Sequence, residues 1–599
     1  MSEDKLEMMR HSCAHLIAAA VQKLYPEAKF GVGPVVENGF YYDIDFGTNI
    51  TEGDLKKIEN VANNLKGEKV KFKRWEIGID EAIEKFAGLG QIYKVELLND
   101  LKNKGTTKVG DAEMQDLAGA VDKVSLYETG AFVDLCRGPH VESADEIGVF
   151  KLTKLSGAYW RGKSENPQLQ RIYGVCFETQ KDLDEYLEMM RLAEERDHRK
   201  IGAEQELFFF DDRVGKGLTM WLPNGTIIRN EVEKLAIEAE ERAGYVRVRT
   251  PHLAKEEMYL TSGHLPYYKD SMYPPMVMDD GTYYLKAMNC PHHHTIFNHS
   301  PHSYRDLPLR IAEYGECYRN ELSGTLAGLL RVRCLAMNDA HMYCRKDQVK
   351  AEFKGVMNLV MEYFKIFQLE NYWFRLSKWS PAHLDKYVNE PENWEYTEQV
   401  IREVLQEMKV KFIEVEDEAA FYGPKVDVQF KSIVGREETM STIQLDFVAK
   451  TRFGLKYTDE TGKENNEVFV IHRAPLSTHE RFTAFLIEHY GGVWPTWLAP
   501  VQVQLVPVSP EKHGEGANAL LQELRAAGIR VGIDDANETL GNRVRKAIAQ
   551  KIPYIVAVGD KEIGGEEWMI RLRGEKEQIK MSKEKFVERV LAEIKECRG

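Results

Sequence analysis

Residues 288–297 read MNCPHHHTIF, one cysteine and three consecutive histidines within five positions. Thiolate and imidazole are zinc ligands, so the run raises a metal site without supplying one. Successive residues on a strand point to alternate faces, and on a helix they spread around it. Cys290, His292, His293 and His294 are therefore not expected to converge on one ion. Either the run is a polar loop, or one member joins ligands elsewhere in the chain.

Two further groups have the types and spacing for chemistry. His11 and His15 lie four apart on one helix face, and CRGPH sets Cys136 and His140 at the same spacing. Such a quartet suits a four-ligand zinc site, and a neutral imidazole in it can equally position or deprotonate a water. In LRIAEYGECYRNELSGTLAGLLRVRCLAMNDAHMYC, residues 309–344, Arg319 and Glu321 fall on one face of a strand. A glycine-bearing loop follows, then Arg331 and Arg333 on the return strand. Arginine grips phosphate bidentately and glutamate can accept from an amino group, although a cross-strand salt bridge needs the same residues. HRAPLSTHERFTAFLIEHY places Arg481 near the start of a helix that follows a strand.

These groups need several domains to position them. At 599 residues the chain should form three or four, and 43% hydrophobic content is enough to fill their cores. A net charge of −15 opposes non-specific nucleic-acid binding by the whole surface but leaves room for a local basic patch. Eight scattered cysteines without a CxxC pair suit a reducing compartment, with metal or packing roles. No signal peptide is visible and no apolar stretch reaches spanning length, so a soluble cytoplasmic protein without a membrane partner is expected.

Residues 1–180 mix short strands such as GFYYDIDF with helices such as Glu81–Ala87, in an α+β manner. Residues 181–203 place Leu183, Tyr186, Leu187 and Met190 at helical spacing, a linker helix ending in a basic, glycine-bearing cap. Residues 204–500 carry strand after strand, which favours a large antiparallel sheet. Residues 501–599 alternate strand and helix, the pattern of a small, mostly parallel sheet.

The stretch LRIAEYGECYRNE…RVRCLAMNDAH resembles motif two of class II aminoacyl-tRNA synthetases, HRAPLSTHERF motif three, and GYVRVRTPHL with Pro251 motif one. More narrowly, SGHLPYYKDSMY, MNCP, SYRDLPLR, AFYGPKVDV, STIQLDF and PTWLAPVQV resemble the threonyl-tRNA synthetase family, as do RHSCAHL, GFYYDID, VDLCRGPHV and GAYWRG. The likeness runs over essentially the whole chain. It implies an α+β multidomain protein: an N-terminal α+β editing domain, a class II antiparallel-sheet catalytic core and a C-terminal α/β anticodon-binding domain. The implied activity is ATP-dependent attachment of L-threonine to tRNA(Thr) through a threonyl-adenylate, with hydrolytic editing of seryl-tRNA(Thr). Motif one implies a homodimer. The chain starts almost at the RHSCAHL helix, so the ubiquitin-like module that often precedes the editing domain is expected to be absent.

By the same resemblance, Cys290, His341 and His472 hold one Zn²⁺ per subunit, and His292, His293 and His294 have surface or packing roles. Threonine would fill the open coordination through its amino group and hydroxyl, with Asp339 accepting from that hydroxyl. A site built for a hydroxyl rejects valine by roughly 10⁴–10⁵. Met288, Tyr422 and Gln444 complete the threonine pocket, with Lys425 beside them. Arg319 sits on the α-phosphate of ATP, Arg481 on its opposite side, Arg331 also on ATP, and Glu321 on the adenine amino group, with Mg²⁺ neutralising the remaining phosphate charge. Serine lacks only a methyl, worth about 1–3 kcal/mol, so a second sieve is needed. The implied sieve is a pocket of His11, His15, Lys94, Asp134, Cys136 and His140, with Tyr42. Asn537, Glu562 and Arg571 are implied anticodon readers, as splayed bases can be read on their Watson–Crick edges.

Four positions depart from the family pattern: Leu335 for an aromatic, Met337 for Gln, Asn338 for Asp and Ser477 for Gly. They motivate an alternative, a synthetase-like RNA-binding protein that does not aminoacylate. The intact metal trio, with Arg319, Glu321 and Arg481, favours the enzyme.

Overall fold

The computed structural model describes residues 3–105, 122–163, 165–432, 435, 437–565 and 567–598. The chain divides into two compact units, 1–190 and 191–599. Among the described residues, no helix is long and apolar enough to cross a membrane.

The first unit is built on helix Glu3–Leu24, buried almost continuously from Met9 to Val21. Its alanines, Ala14 and Ala18 to Ala20, let the helix lie close against the sheet. That sheet runs antiparallel in the order Lys29–Phe30, Gly39–Asp45, Gln168–Phe177, Val149–Tyr159. A second antiparallel sheet joins Phe72–Gly78, Lys123–Thr129 and Phe132–Leu135, and helices Ile79–Gly88 and Ile92–Lys104 pack on it.

The expected single linker helix is two: Gln180–Glu195 and His198–Glu204. Asp197 breaks the run by capping the second, accepting from the Arg199 N–H at 2.8 Å. Only Leu183 of the first helix is fully buried, and Met190 is exposed, so its apolar stripe is narrower than its spacing implies.

The second unit holds an eight-stranded sheet in the order Val246–Arg247, Leu309–Tyr318, Cys334–Arg345, Val468–Ala474, Glu437–Asp446, Lys425–Lys431, Tyr372–Ser377, Phe412–Val415. Pairing is antiparallel except at the two ends, where the outermost strands run parallel to their neighbours. Strand alternation assigns the two faces. Ala340, Met342 and Cys344 enter the main core, on which helices Val349–Ile366 and His479–Tyr490 pack. Met337, Asp339 and His341 point the other way, into a cavity of about 560 Å³.

The C-terminal segment forms a five-stranded sheet ordered Val531–Ile533, Val503–Pro507, Tyr554–Val558, Trp568–Leu572, Gln578–Met581. The first three strands are parallel and the last two antiparallel, so strand–helix alternation describes only its first half.

Candidate active site

His341 and His472 are direct partners across neighbouring antiparallel strands, so both imidazoles rise from one face. Cys290 opens helix Cys290–Asn298, and its sulfur completes a group whose donor atoms all lie within 4.8 Å of one another. Burial holds His341 well below the ordinary imidazole range, which leaves it neutral with a free lone pair. Burial, with Asp339 and Asp446 nearby, pushes the Cys290 thiol well up. A buried thiol beside two imidazoles is a donor set that suits a zinc ion. Three protein ligands leave a fourth position for a bound molecule.

The histidine run is neither loop nor surface. Pro291 stands in the first helical turn, and His292, His293 and His294 are all buried. His294 Nδ1 lies 3.0 Å from the Tyr343 hydroxyl, and His293 contacts both His341 and Glu313. Two residues that sequence reasoning missed also support the group. Asp446 Oδ2 lies 3.1 Å from His472 Nε2, and Asn289 donates to Asp339 Oδ2 at 2.9 Å. Both lie in quoted segments, and the signal was a short polar side chain one position from a ligand or two from a pocket residue.

The cavity also takes in Met288, Tyr422 and Gln444, with the Tyr422 hydroxyl donating to the Gln444 carbonyl and its ring stacked on His472. Lys425 is not among its walls; its ammonium pairs with Asp427 at 2.9 Å. At the other end stand Arg319, Arg331 and Arg481. Burial lowers the Arg481 pKa, with Arg319 and Arg331 adding to it and Glu438 and Glu321 opposing it. Thr478 caps the helix that carries Arg481, accepting from its N–H at 3.1 Å.

Arg319 and Glu321 do not share a strand. The ladder ends at Tyr318 opposite Cys334, because the Arg333 N–H goes to Gly217 O at 2.7 Å and not across the hairpin. Arg319, Glu321, Arg331 and Arg333 therefore lie on a loop. There Glu321 accepts from Arg331 Nε at 2.9 Å, the salt bridge that the residue types also allowed.

The first unit gathers a second cluster. His11, His15, Cys136 and His140 place donor atoms within 4.8 Å of one another, with Cys136 Sγ 3.3 Å from both His11 Nε2 and His140 Nε2. Gly138 sits at φ +74° in the CRGPH turn, and a Cβ there would meet the Tyr127 hydroxyl at 2.2 Å, so the turn needs glycine. Asp134 is held by Lys94, by the Tyr42 hydroxyl at 2.5 Å and by His15 at 3.5 Å. Burial depresses the pKa of His11, His15 and His140 and pushes the Cys136 thiol up to about 12. Three neutral imidazoles beside a fixed carboxylate can hold a metal or accept protons from water.

Three family models match the chain. The class II tRNA synthetase core domain (G, H, P, S and T) matches residues 276–490, the anticodon-binding domain 502–593, and the threonyl and alanyl tRNA synthetase second additional domain 124–173. A threonine–tRNA ligase of a Geobacillus strain is 47% identical over 592 residues, covering 99% of this chain and 89% of that protein. One from Anoxybacillus flavithermus matches with the same identity and coverage. The chain belongs to the threonyl-tRNA synthetase family. Among solved structures, the RNA-binding domain of threonyl-tRNA synthetase from Cryptosporidium parvum superposes with TM-score 0.63 and 30% identity, covering 66% of this chain and 98% of that one.

Membership in the threonyl-tRNA synthetase family gives the four departures a structural setting. Leu335 and Met337 form an apolar patch with Cys317 and Val332 and line the cavity. Asn338 is fully buried and donates to Glu240 at 2.9 Å while accepting from Arg473 at 3.3 Å. Glu240, also fully buried, accepts from Arg473 at 2.8 Å and from Arg247 at 2.7 Å, so the buried guanidinium on its strand has its carboxylate from helix Pro223–Arg242. Ser477 takes the left-handed conformation, φ +52°, and its carbonyl accepts the Asn338 N–H at 2.9 Å.

The C-terminal trio sits in three different settings. Asn537 is exposed on a loop, Arg571 is half-buried on strand Trp568–Leu572, and Glu562 is buried. The Glu562 carboxylate accepts the Gly559 N–H at 3.0 Å, capping its own helix. No hydrogen bond or ion pair joins the three among the described residues.

Proposed function

We propose that the chain attaches L-threonine to tRNA(Thr) through a threonyl-adenylate formed from ATP, and that it hydrolyses seryl-tRNA(Thr) in its N-terminal unit. What carries the reading is one cavity with a Cys–His–His donor set at one end and three arginines at the other. Cys290, His341 and His472 would hold zinc, which supplies an open coordination position for the amino group and hydroxyl of threonine. Asp339 accepts from that hydroxyl, kept in place by Asn289. Valine leaves the Asp339 oxygen that faces the pocket without the hydroxyl donor, an unmet buried acceptor that gives discrimination of roughly 10⁴–10⁵. Met288, Tyr422 and Gln444 shape the rest of the pocket.

Arg319 and Arg481 converge on the α-phosphate from two sides, positioned before charge develops there as the threonine carboxylate attacks. Arg331 takes the outer phosphates with Mg²⁺, and its departure from Glu321 frees that carboxylate for the adenine amino group. In the N-terminal unit, one imidazole of the His11, His15 and His140 group takes the proton of a water attacking the seryl ester and returns it to the departing ribose oxygen, with Asp134, Lys94, Tyr42 and Cys136 holding the group in place. Asn537, Glu562 and Arg571 are assigned to the anticodon. Of these Glu562 must leave its helix cap, or act through its remaining oxygen.

Exposed Val246 and Leu253 in the GYVRVRTPHL segment fit a homodimer contact, and the cytoplasm is the expected location. ATP–pyrophosphate exchange tests the reading. Threonine should support exchange, serine should support it weakly and valine should be silent. Binding of tRNA without exchange for any amino acid would make the chain an RNA-binding relative.

A further inference from the structure

The hydrogen bonds behind the metal group run in one direction. Glu313 is buried and accepts from the Thr250 N–H at 3.1 Å and the Thr250 hydroxyl at 2.7 Å. Lys286 Nζ faces it at 3.7 Å and already balances its charge. Although burial works the other way, the two Thr250 donors and the facing Lys286 ammonium favour its ionised form. An ionised carboxylate only accepts, so His293 Nε2, 3.1 Å away, carries a proton. His293 Nδ1 lies 2.7 Å from His341 Nδ1, and one proton must occupy that contact. If it belonged to His293, His341 would have to be protonated at Nε2 and would aim an N–H at the metal position. If it belongs to His341, the His341 Nε2 lone pair is free.

We infer that Glu313 and His293 are positioning residues that fix the tautomer of His341, so that Nε2 is its ligand atom and the centre keeps its metal tightly. The inference rests on the zinc reading above and adds to it an indirect carboxylate–imidazole–imidazole support. Partners behind a ligand typically govern metal affinity by 10- to 100-fold. His293 is fully buried and reaches no cavity wall, so it touches neither substrate nor metal position. The helix that carries Cys290 thus also carries the residue that orients His341, which explains why the histidine run is internal.

Competition with a chelator measures the zinc dissociation constant of the full chain, and cobalt substitution reports the coordination through its visible spectrum. His293→Leu removes the acceptor and should weaken zinc binding 10- to 100-fold, with an altered cobalt spectrum. His293→Gln can still accept from His341 Nδ1 and should restore affinity to within about threefold. Circular dichroism of the metal-free variants must match that of the metal-free wild type for these values to be compared. Wild-type affinity in His293→Leu, or equal weakening in both variants, overturns the inference while leaving the centre standing. Absence of stoichiometric zinc in the wild type would instead overturn the reading on which it rests.

Discussion

His341 and His472 stand opposite each other in register on adjacent antiparallel strands, and their ring centroids are 4.4 Å apart. That pairing brings residues far apart in sequence into a group that could hold a metal ion. Sheet register fixes two donors, and the third needs only a helix start nearby, which Cys290 supplies. The centre should therefore be rigid before any ligand arrives.

Glu480, buried beside Arg481, has its pKa raised by burial to about 7, against an ordinary 4.5. The native state then binds more protons than the unfolded chain between those pH values. Stability should fall through that window as pH rises, at up to about 1.4 kcal/mol per pH unit, and level off above it. Glu480→Gln should lack the slope, matching wild type near pH 4.5 and exceeding it by up to about 3 kcal/mol at pH 8. Urea unfolding across this range checks it; parallel curves would show that Glu480 is ionised throughout.

Ser477 carries a left-handed backbone that glycine adopts without a Cβ penalty. Ser477→Gly should raise stability by about 1 kcal/mol, visible as a higher denaturant midpoint at unchanged slope. Exchange activity should stay within about twofold, because the carbonyl that accepts from Asn338 is kept.

Arg319 and Arg481 should be worth similar amounts in the chemical step. Replacing either by Ala should lower the exchange rate at saturating threonine by roughly 10²–10³, as for the loss of one positioned donor on developing charge. An effect confined to the apparent ATP affinity would mean that they bind the ground state alone.

In the N-terminal unit, His11→Ala with His15→Ala should leave threonine charging intact and let seryl-tRNA accumulate. Deacylation of preformed seryl-tRNA should fall by about 10²–10⁴, the range of a lost general base. Unchanged deacylation would remove the pocket assignment.

The strands and the three-part organisation were legible because alternation and turn residues are local signals. GFYYDIDF and EVFVIHR are strands, and His11 and His15 do share a helix with Cys136 and His140 against them. What was not legible was decided by distant partners. The hairpin of Arg319 and Glu321 ends early because Gly217 takes the Arg333 N–H, and nothing near Arg333 announces it. The histidine run reads as polar, yet it is buried, with His293 received by Glu313 and His341 and His294 by Tyr343. Asp197 was readable as a helix cap, and the long amphipathic spacing hid it. Lys425 was placed in the pocket by resemblance, but its neighbour Asp427 draws it away.

Zinc content and threonine-dependent ATP–pyrophosphate exchange, measured together on wild type and Cys290→Ala, test the central claim most directly. The account predicts one zinc per chain in the wild type and its loss in the variant. Exchange should fall with it by at least about 10²-fold, since the ion is worth several kcal/mol to the bound state. A variant that lacks zinc and still activates threonine at the wild-type rate while refusing valine would contradict it.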